Sequence, residues 1–278
     1  MQLASNNNDY IEFREFLEQA CGILLGDNKE YLVNSRIKPV IARHNLSSLG
    51  ELVTKLKSFS ARNLKEEVID AMTTNETLWF RDAHPFRILE EKIFVELESQ
   101  LRSRPLNVWS AACSTGQEPY SISMIADEYK RKNLGKIPAG VRITATDISP
   151  SVLAAARSGI YEMLALGRGM SDDRLKRFFK SSSDGAWEVN ADIKSKITFQ
   201  SLNLLDNFAR LTDRFDVIFC RNVLIYFSGE LKQDILSRMH QKLQPGGYLI
   251  LGASESLSGL SDKYEMVQCQ PGIIYQAI

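Results

Sequence analysis

Six short apolar, β-branched runs alternate with helix-patterned stretches from about residue 105 onward, and no other feature restricts the fold as much. The runs are LNVWSAA, VRITATDI, ITFQSLN, FDVIFCRNVLI, GYLILGA and GIIYQAI. Between them QEPYSISMIADEYKRK, SPSVLAAARSGIY and SGELKQDILSRMHQKL carry helical patterns. Strands that alternate with helices build βαβ units and bring successive strands into one mostly parallel sheet. Pro245-Gly246-Gly247 is expected to stop the last helix and turn the chain into a strand.

The alternation breaks at about 160–196, in LGRGMSDDRLKRFF and SSSDGAWEV. Ser171 is an N-cap candidate with Asp172 and Asp173 in the first turn, and Asp184-Gly185 suggests a hairpin. A small β-subdomain inserted into the sheet domain is the expectation. The beginning of the chain reads differently. Tyr10, Phe13, Phe16, Leu17 and Ala20 recur at helical spacing, as do Leu49, Leu52, Val53 and Leu56, and Leu64, Val68, Ile69 and Met72. KEYLVNSRIKPVIARHN reads as a helix strained or kinked at Pro39. The expected organisation is an all-helical domain over 1–74, a linker with one helix over 75–104, and an α/β, Rossmann-like domain over 105–278.

Composition excludes several classes. Lys plus Arg and Asp plus Glu both number 34, for a formal net charge of zero. Broad nucleic-acid binding needs a basic excess to displace counterions, so no nucleic-acid partner is expected. MQLASNNNDY has neither a basic nor an apolar leader region, and no apolar run approaches the roughly 18 residues of a spanning helix. A cytoplasmic protein without membrane insertion is therefore expected. Cys21, Cys113, Cys220 and Cys269 form no CxxC and read as free thiols in a reducing compartment. His44, His84 and His240 lack ligand spacing, so no metal is expected.

The loop after the first run of the sheet, WSAACSTGQEPYS, lies where an open α/β sheet binds its ligand. It has one glycine, Gly116, and no GxGxxG, the pattern that brings backbone close to a pyrophosphate. Small residues without an anion nest suit a ligand without phosphates, such as S-adenosylmethionine. The second run ends in Asp147, which can accept hydrogen bonds from both ribose hydroxyls; it can equally serve as an N-cap, a role Ser149 can fill instead. Glu118 either complements the dipole of its helix or accepts the ligand's ammonium group and faces its sulfonium. These features indicate an adenosine-type ligand and leave the reaction open.

TTNETLWFRDAHPF, SAACSTGQEPYS, TDIS, NLLD and FDVIFCRNVLIYF occur in that order. As a set they resemble the CheR family of chemotaxis methyltransferases over nearly the whole chain. The resemblance implies methyl transfer from S-adenosyl-L-methionine to glutamate side chains on the cytoplasmic methylation helices of membrane chemoreceptors, with S-adenosyl-L-homocysteine as product. It also implies that Asn75, Thr77, Arg81, Glu118, Asp147, Asn203, Leu204, Arg221 and Asn222 contact the cofactor. Arg81 and Tyr226 would border the reacting groups. Some relatives hold a receptor's terminal peptide on the inserted β-subdomain, and no motif at 160–196 matches that use.

The chemistry agrees with these residue types. A glutamate side chain, with a pKa of about 4.3, is already ionised at neutral pH, so no general base is required. The absence of Ser-His-Asp or Cys-His patterns fits. Arg36, Lys38 and Arg43 fall in a basic helix candidate over 29–45. That helix is either a solvated face or the surface that meets acidic receptor segments. A monomer is expected. The competing readings are a methyltransferase acting on another substrate and a non-catalytic scaffold that binds S-adenosylmethionine.

Overall fold

The computed structural model describes residues 7–58, 60–182, 185–257, 259–260 and 262–278. The first residues of the expected leaderless start, Met1–Asn6, and Asp184 of the expected hairpin turn lie outside them. Four helices come first: α1 (Asn7–Cys21), α2 (Glu30–Arg43), α3 (Leu49–Leu56) and α4 (Arg62–Met72). Their apolar stripes converge on a core of their own, with Phe13, Leu17, Val33, Ile37, Leu49, Leu52 and Val68 fully buried. Ser48 caps α3 by accepting from the Glu51 N–H, while the Glu51 carboxylate accepts from the Ser47 N–H in return. α2 runs through Pro39. A segment over 73–83 leads to a run of short helices, α5 (His84–Ile88), a π turn (Leu89–Ile93), α6 (Phe94–Glu96) and α7 (Glu98–Leu101).

β1 (Leu106–Ala111), α8 (Gln117–Lys132), β2 (Val141–Asp147) and α9 (Pro150–Ser158) open the α/β part. The insert follows as β3 (Ile160–Tyr161), α10 (Met163–Leu166), α11 (Asp172–Phe178), β4 (Phe179–Ser181), β5 (Trp187–Val189) and α12 (Ala191–Lys194). Its strands pair antiparallel in the order β3-β5-β4, and Ser171 accepts from the Arg174 N–H as the N-cap of α11. β6 (Ile197–Ser201), β7 (Phe215–Cys220), α13 (Gly229–Lys242), β8 (Leu243–Leu251), β9 (Tyr264–Gln268) and β10 (Ile273–Ala277) complete the chain.

The main sheet has seven strands in the order β6-β2-β1-β7-β8-β10-β9. The first five are parallel, and β10 joins them antiparallel. Alternation along each strand sorts the side chains between two faces. Val108, Ile143, Val217 and Phe219 pack with Tyr120 and Met124 of α8. Trp109, Ile218 and Cys220 pack with Ile235, Leu236 and Met239 of α13. At the strand starts Arg104 clamps Asp216 through two hydrogen bonds of 2.7 Å, and Asp216 also accepts from the Asn107 N–H.

Three sequence expectations are corrected. The run FDVIFCRNVLI is not strand throughout: β7 stops at Cys220, because Asn222 takes a left-handed φ of 58° and the chain then coils into a 3-10 turn at Leu224–Tyr226. β8 begins at Leu243, ahead of Pro245-Gly246-Gly247, and the extra residues are absorbed in a register shift against β7 between Phe215 and Val217. β9, whose middle residues are exposed, is a seventh strand that the apolar runs did not reveal.

β1 connects outward to β2 on one side, and the chain returns to β7 on the other. That reversal opens a crevice beyond the carboxyl ends of β1 and β7. The helical domain lies over it. Asn203 Nδ2 donates to the Ala20 carbonyl at 2.7 Å, the Leu24 N–H to the Tyr226 carbonyl at 2.9 Å, and the Ser151 hydroxyl to Asp70 at 2.8 Å. Gly22 makes this approach feasible. Its φ is 77°, and a Cβ there would sit 2.6 Å from the Leu231 side chain of α13.

Candidate functional site

A cleft with about 1220 Å³ of space, part of it open to solvent, fills the crevice between the helical domain and the sheet. Its walls come from the loop after β1, the ends of β2, β6 and β7, the 72–78 segment, and residues 21–25 with Leu32 and Arg36 of the helical domain. Asn75, Thr77, Arg81, Glu118, Asp147, Asn203, Leu204, Arg221, Asn222 and Tyr226 all line it. Of the three basic residues assigned to α2, only Arg36 does.

The loop after β1 turns tightly without a glycine-rich sequence. Ala112, Ser114 and Gly116 have φ of 60°, 50° and 96°. The first two hold a conformation that costs about 1–3 kcal/mol outside glycine. Ser114 ties the loop down twice: its N–H donates to Asp147 Oδ2 at 2.8 Å, and its hydroxyl to the Asn75 carbonyl at 2.8 Å. Gly116 is needed for space as well, since a Cβ there would meet the Tyr161 hydroxyl at 3.0 Å and Ala156 at 3.1 Å.

Asp147 is buried at the end of β2, and Ser149, not Asp147, caps α9. Burial pushes the Asp147 carboxyl up, against the downward pull of backbone N–H groups from Ser149, Ser114 and Ile148. Oδ1 accepts from the Ser149 N–H at 3.0 Å and Oδ2 from the Ser114 N–H. A carboxylate has about four acceptor positions, so Asp147 retains capacity for a further donor.

Glu118 stands in the first turn of α8, where it accepts from the Ser110 hydroxyl at 2.8 Å and from Arg221 Nη1 at 3.0 Å. The Arg221 side chain is 2% exposed. Its Nη2 donates to Asp82 at 2.6 Å and to the Arg81 carbonyl at 2.9 Å, and its Nε is buried without a partner among the described residues. Two carboxylates around one guanidinium leave this three-residue cluster with a net charge of −1. The adjoining chain is strained: Phe80, Asp82 and Ala83 have φ of 49°, 66° and 49°. The Phe80 N–H is held by the Ser121 hydroxyl, and Arg174 lies 3.9 Å over the Phe80 ring. Arg81 itself donates to the Glu76 carbonyl at 3.2 Å.

The Tyr226 hydroxyl makes no hydrogen bond to any described residue, while its carbonyl holds the helical domain. Asn203 is committed twice, to Ala20 and to the Leu205 N–H. Arg36 donates to the Met72 and Thr73 carbonyls at 2.7 and 3.0 Å and to Thr74 at 3.1 Å, and so anchors the start of the 73–78 segment. Lys38 is exposed, and Arg43 pairs with Glu67 beside His44. Arg36 thus turns inward to residues 72–74, while Lys38 and Arg43 remain on the surface.

Four residues were missed by sequence reasoning: Gly22, Asp82, Ser114 and Glu255. Asp82 and Ser114 lie inside motifs already singled out, whereas Glu255, beyond β8, carries no local signal. Cys113 and Cys220 are buried with thiols pushed well up by burial, and burial pushes Cys21 up to about 11, which leaves these thiols inert. Among the described residues no group of His, Cys, Asp and Glu is arranged to hold a metal, and no helix is long and apolar enough to cross a membrane.

The chain matches two family models: "CheR methyltransferase, all-alpha domain" over residues 8–73 and "CheR methyltransferase, SAM binding domain" over residues 75–273. It is 53% identical to chemotaxis protein methyltransferase Cher2 of Pseudomonas putida and 54% identical to chemotaxis protein methyltransferase 1 of Pseudomonas aeruginosa, in each case over 99% of this chain and 100% of the relative. It is 34% identical to the chemotaxis protein methyltransferase of Escherichia coli, over 95% of this chain and 90% of the relative. Among solved structures, magnesium protoporphyrin IX methyltransferase from Synechocystis aligns with a TM-score of 0.36 at 16% identity, covering 79% of this chain and 91% of that one.

Proposed function

Because the chain belongs to the CheR methyltransferase family, we propose that it transfers a methyl group from S-adenosyl-L-methionine to glutamate side chains on the cytoplasmic methylation helices of membrane chemoreceptors. The products are a glutamate methyl ester and S-adenosyl-L-homocysteine. The enzyme works in the cytoplasm, as a monomer and without a metal.

The cleft's donor set supports this ligand. The remaining acceptor capacity of Asp147 suits a ribose hydroxyl. The small residues of the β1 loop admit close approach. The wall's one buried guanidinium is already neutralised by Glu118 and Asp82, so nothing there is poised for a pyrophosphate. The single observation that carries the reading is that Glu118, its charge paired with Arg221, lines the same cleft as Asp147 and as the Tyr226 hydroxyl, which no described residue satisfies. A cationic adenosine-type ligand fits that arrangement.

When bound, S-adenosyl-L-methionine supplies a methyl carbon made electrophilic by its sulfonium. Asp147 would hold the ribose, and Glu118 the ammonium group. Asn75, Thr77, Asn203, Leu204 and Asn222 complete the cofactor's walls. Arg81 and Tyr226 orient the incoming carboxylate. A tight arginine pair would blunt that nucleophile, so Arg81 acts by alignment, and alignment with exclusion of water is the main contribution available to the protein. Residues 21–25 of the helical domain exclude water from above. Lys38 and Arg43, the exposed basic residues of α2, favour an acidic receptor segment.

The test is incubation with tritiated methyl donor and receptor-containing membranes. Base-labile label on the receptor supports the proposal. Base-stable label elsewhere means another substrate, and retained cofactor binding without any label means a scaffold.

A further inference from the structure

The start of the loop that carries Asn222 and Tyr226 is held from outside by Glu255, on the turn that follows β8. One carboxylate oxygen accepts from the N–H groups of Val223 and Leu224, at 2.9 and 2.8 Å. The other accepts from Asn222 and Gly252, both at 2.8 Å. Four backbone donors thus converge on one side chain, in the manner of an anion-binding nest whose anion belongs to the protein. Gly252 leaves the room for it. A Cβ at that position would lie 2.7 Å from Glu255 Oε2 and 3.0 Å from both the Asn222 N and its Nδ2.

The consequence is geometric. Asn222 has a left-handed φ of 58°, which sends the chain out of β7 and across the cleft. Val223 and Leu224 begin the 3-10 turn, and the Tyr226 N–H donates back to the Val223 carbonyl at 3.2 Å. Fixing the N–H groups of residues 222–224 therefore fixes where the Asn222 and Tyr226 side chains enter the cleft. Glu255 itself does not line it.

We propose that Glu255 is a positioning residue for methyl transfer, acting through the 222–226 loop to set Asn222 against the methyl donor and Tyr226 against the reacting groups. The proposal rests on the reading of the cleft given above. It calls for no protonation change and no co-reactant.

The test compares Glu255→Gln and Gly252→Ala with the wild-type chain. Glu255→Gln removes one acceptor and turns an amide N–H₂ toward backbone donors. Gly252→Ala keeps the carboxylate but crowds it and Asn222 apart; Gly252 is not in the left-handed region, so the perturbation is crowding alone. Three quantities are read: S-adenosyl-L-homocysteine affinity by calorimetry, kcat and receptor KM with receptor-containing membranes, and the thermal midpoint. In both variants kcat should fall and the Kd for S-adenosyl-L-homocysteine should rise, each about tenfold, with receptor KM within about twofold of wild type. A lowered midpoint with wild-type kcat and Kd below the transition means that Glu255 only stabilises the fold, and overturns the proposal. If Glu255→Gln does not fold, Gly252→Ala decides by the same criteria. A wild-type chain that fails to bind S-adenosyl-L-homocysteine overturns the reading of the cleft and this inference with it, whereas wild-type behaviour in the variants overturns this inference alone.

Discussion

Replacing Arg221 with Met removes the guanidinium that pairs with both Glu118 and Asp82. Local charge changes from −1 to −2, while the methionine keeps an apolar side chain against Phe86, over whose ring the guanidinium now sits at 5.9 Å. The two arms of the cluster contribute unequally. Glu118 is 12% exposed and Asp82 is 36% exposed. Removing one partner of a buried pair costs about 3–5 kcal/mol, because the other charge is left without compensation. The Asp82 arm is partly solvated and screened, and adds about 1 kcal/mol or less. The Glu118 arm therefore decides the effect. For a chain of this length each kcal/mol moves the midpoint by roughly 2–4 °C, so the variant should melt about 6–20 °C below wild type.

The mechanism can be separated from simple loss of packing. If the cost is an uncompensated Glu118 carboxylate, adding Glu118→Gln to Arg221→Met should restore roughly half of the loss, since the glutamine can still accept from the Ser110 hydroxyl. Thermal and urea unfolding of wild type, both single variants and the double variant complete the cycle. An Arg221→Met protein within about 1 kcal/mol of wild type, or a double variant no more stable than the single one, would refute the charge argument.

Tyr226→Phe keeps the ring and loses a hydroxyl that no described residue satisfies; kcat and kcat/KM should fall together by about tenfold, and wild-type turnover would remove that hydroxyl from the mechanism. If Asp147 holds the ribose, its anion is the stronger acceptor, and burial raises its pKa, so S-adenosyl-L-homocysteine affinity should decline on acidification at a pH above the ordinary aspartate value of about 3.9. Asp147→Asn should bind more weakly and show no such decline; an unchanged pH profile in that variant would place the titration elsewhere. Lys38→Glu should raise receptor KM and flatten its salt dependence without touching cofactor affinity, whereas Arg36→Ala should weaken cofactor binding by loosening residues 72–74. Identical behaviour of the two variants would contradict the division of α2.

What could be read from the chain alone follows from the range of the interactions involved. The βαβ alternation is local: each strand and helix declares itself within 6–16 residues through its own burial pattern, so the parallel core from β6 to β8 was legible. β9 was not, because an exposed edge strand has no apolar face to advertise. β7 was overextended for the opposite reason. The residues Val223, Leu224 and Ile225 have the composition of a strand, and only the left-handed turn at Asn222 diverts them. The inward role of Arg36 was hidden because charge is visible in a sequence and its partners are not. Arg36 spends its guanidinium on carbonyls 36 and 37 residues away.

The same reasoning accounts for the site. Its shape is stored in backbone that local preference disfavours: Phe80 and Asp82 on one side, Ala112 and Ser114 on a second, Asn222 on a third. Each non-glycine residue in such a conformation costs about 1–3 kcal/mol, and each persists only where something else holds it. The holding groups are distant in sequence. The Ser121 hydroxyl accepts from the Phe80 N–H across 41 residues, Asp147 from the Ser114 N–H across 33, and Glu255 from the Asn222 N–H across 33. Two of these acceptors are carboxylates, and a hydrogen bond to a charged group contributes about 1.5–3 kcal/mol, enough to offset the strain of the residue it restrains. A carboxylate can therefore be indispensable to the cleft without entering it. Asp147 both restrains the loop and lines the cleft, so a motif scan finds it. Glu255 only restrains, and it becomes visible once the donors converging on it are traced.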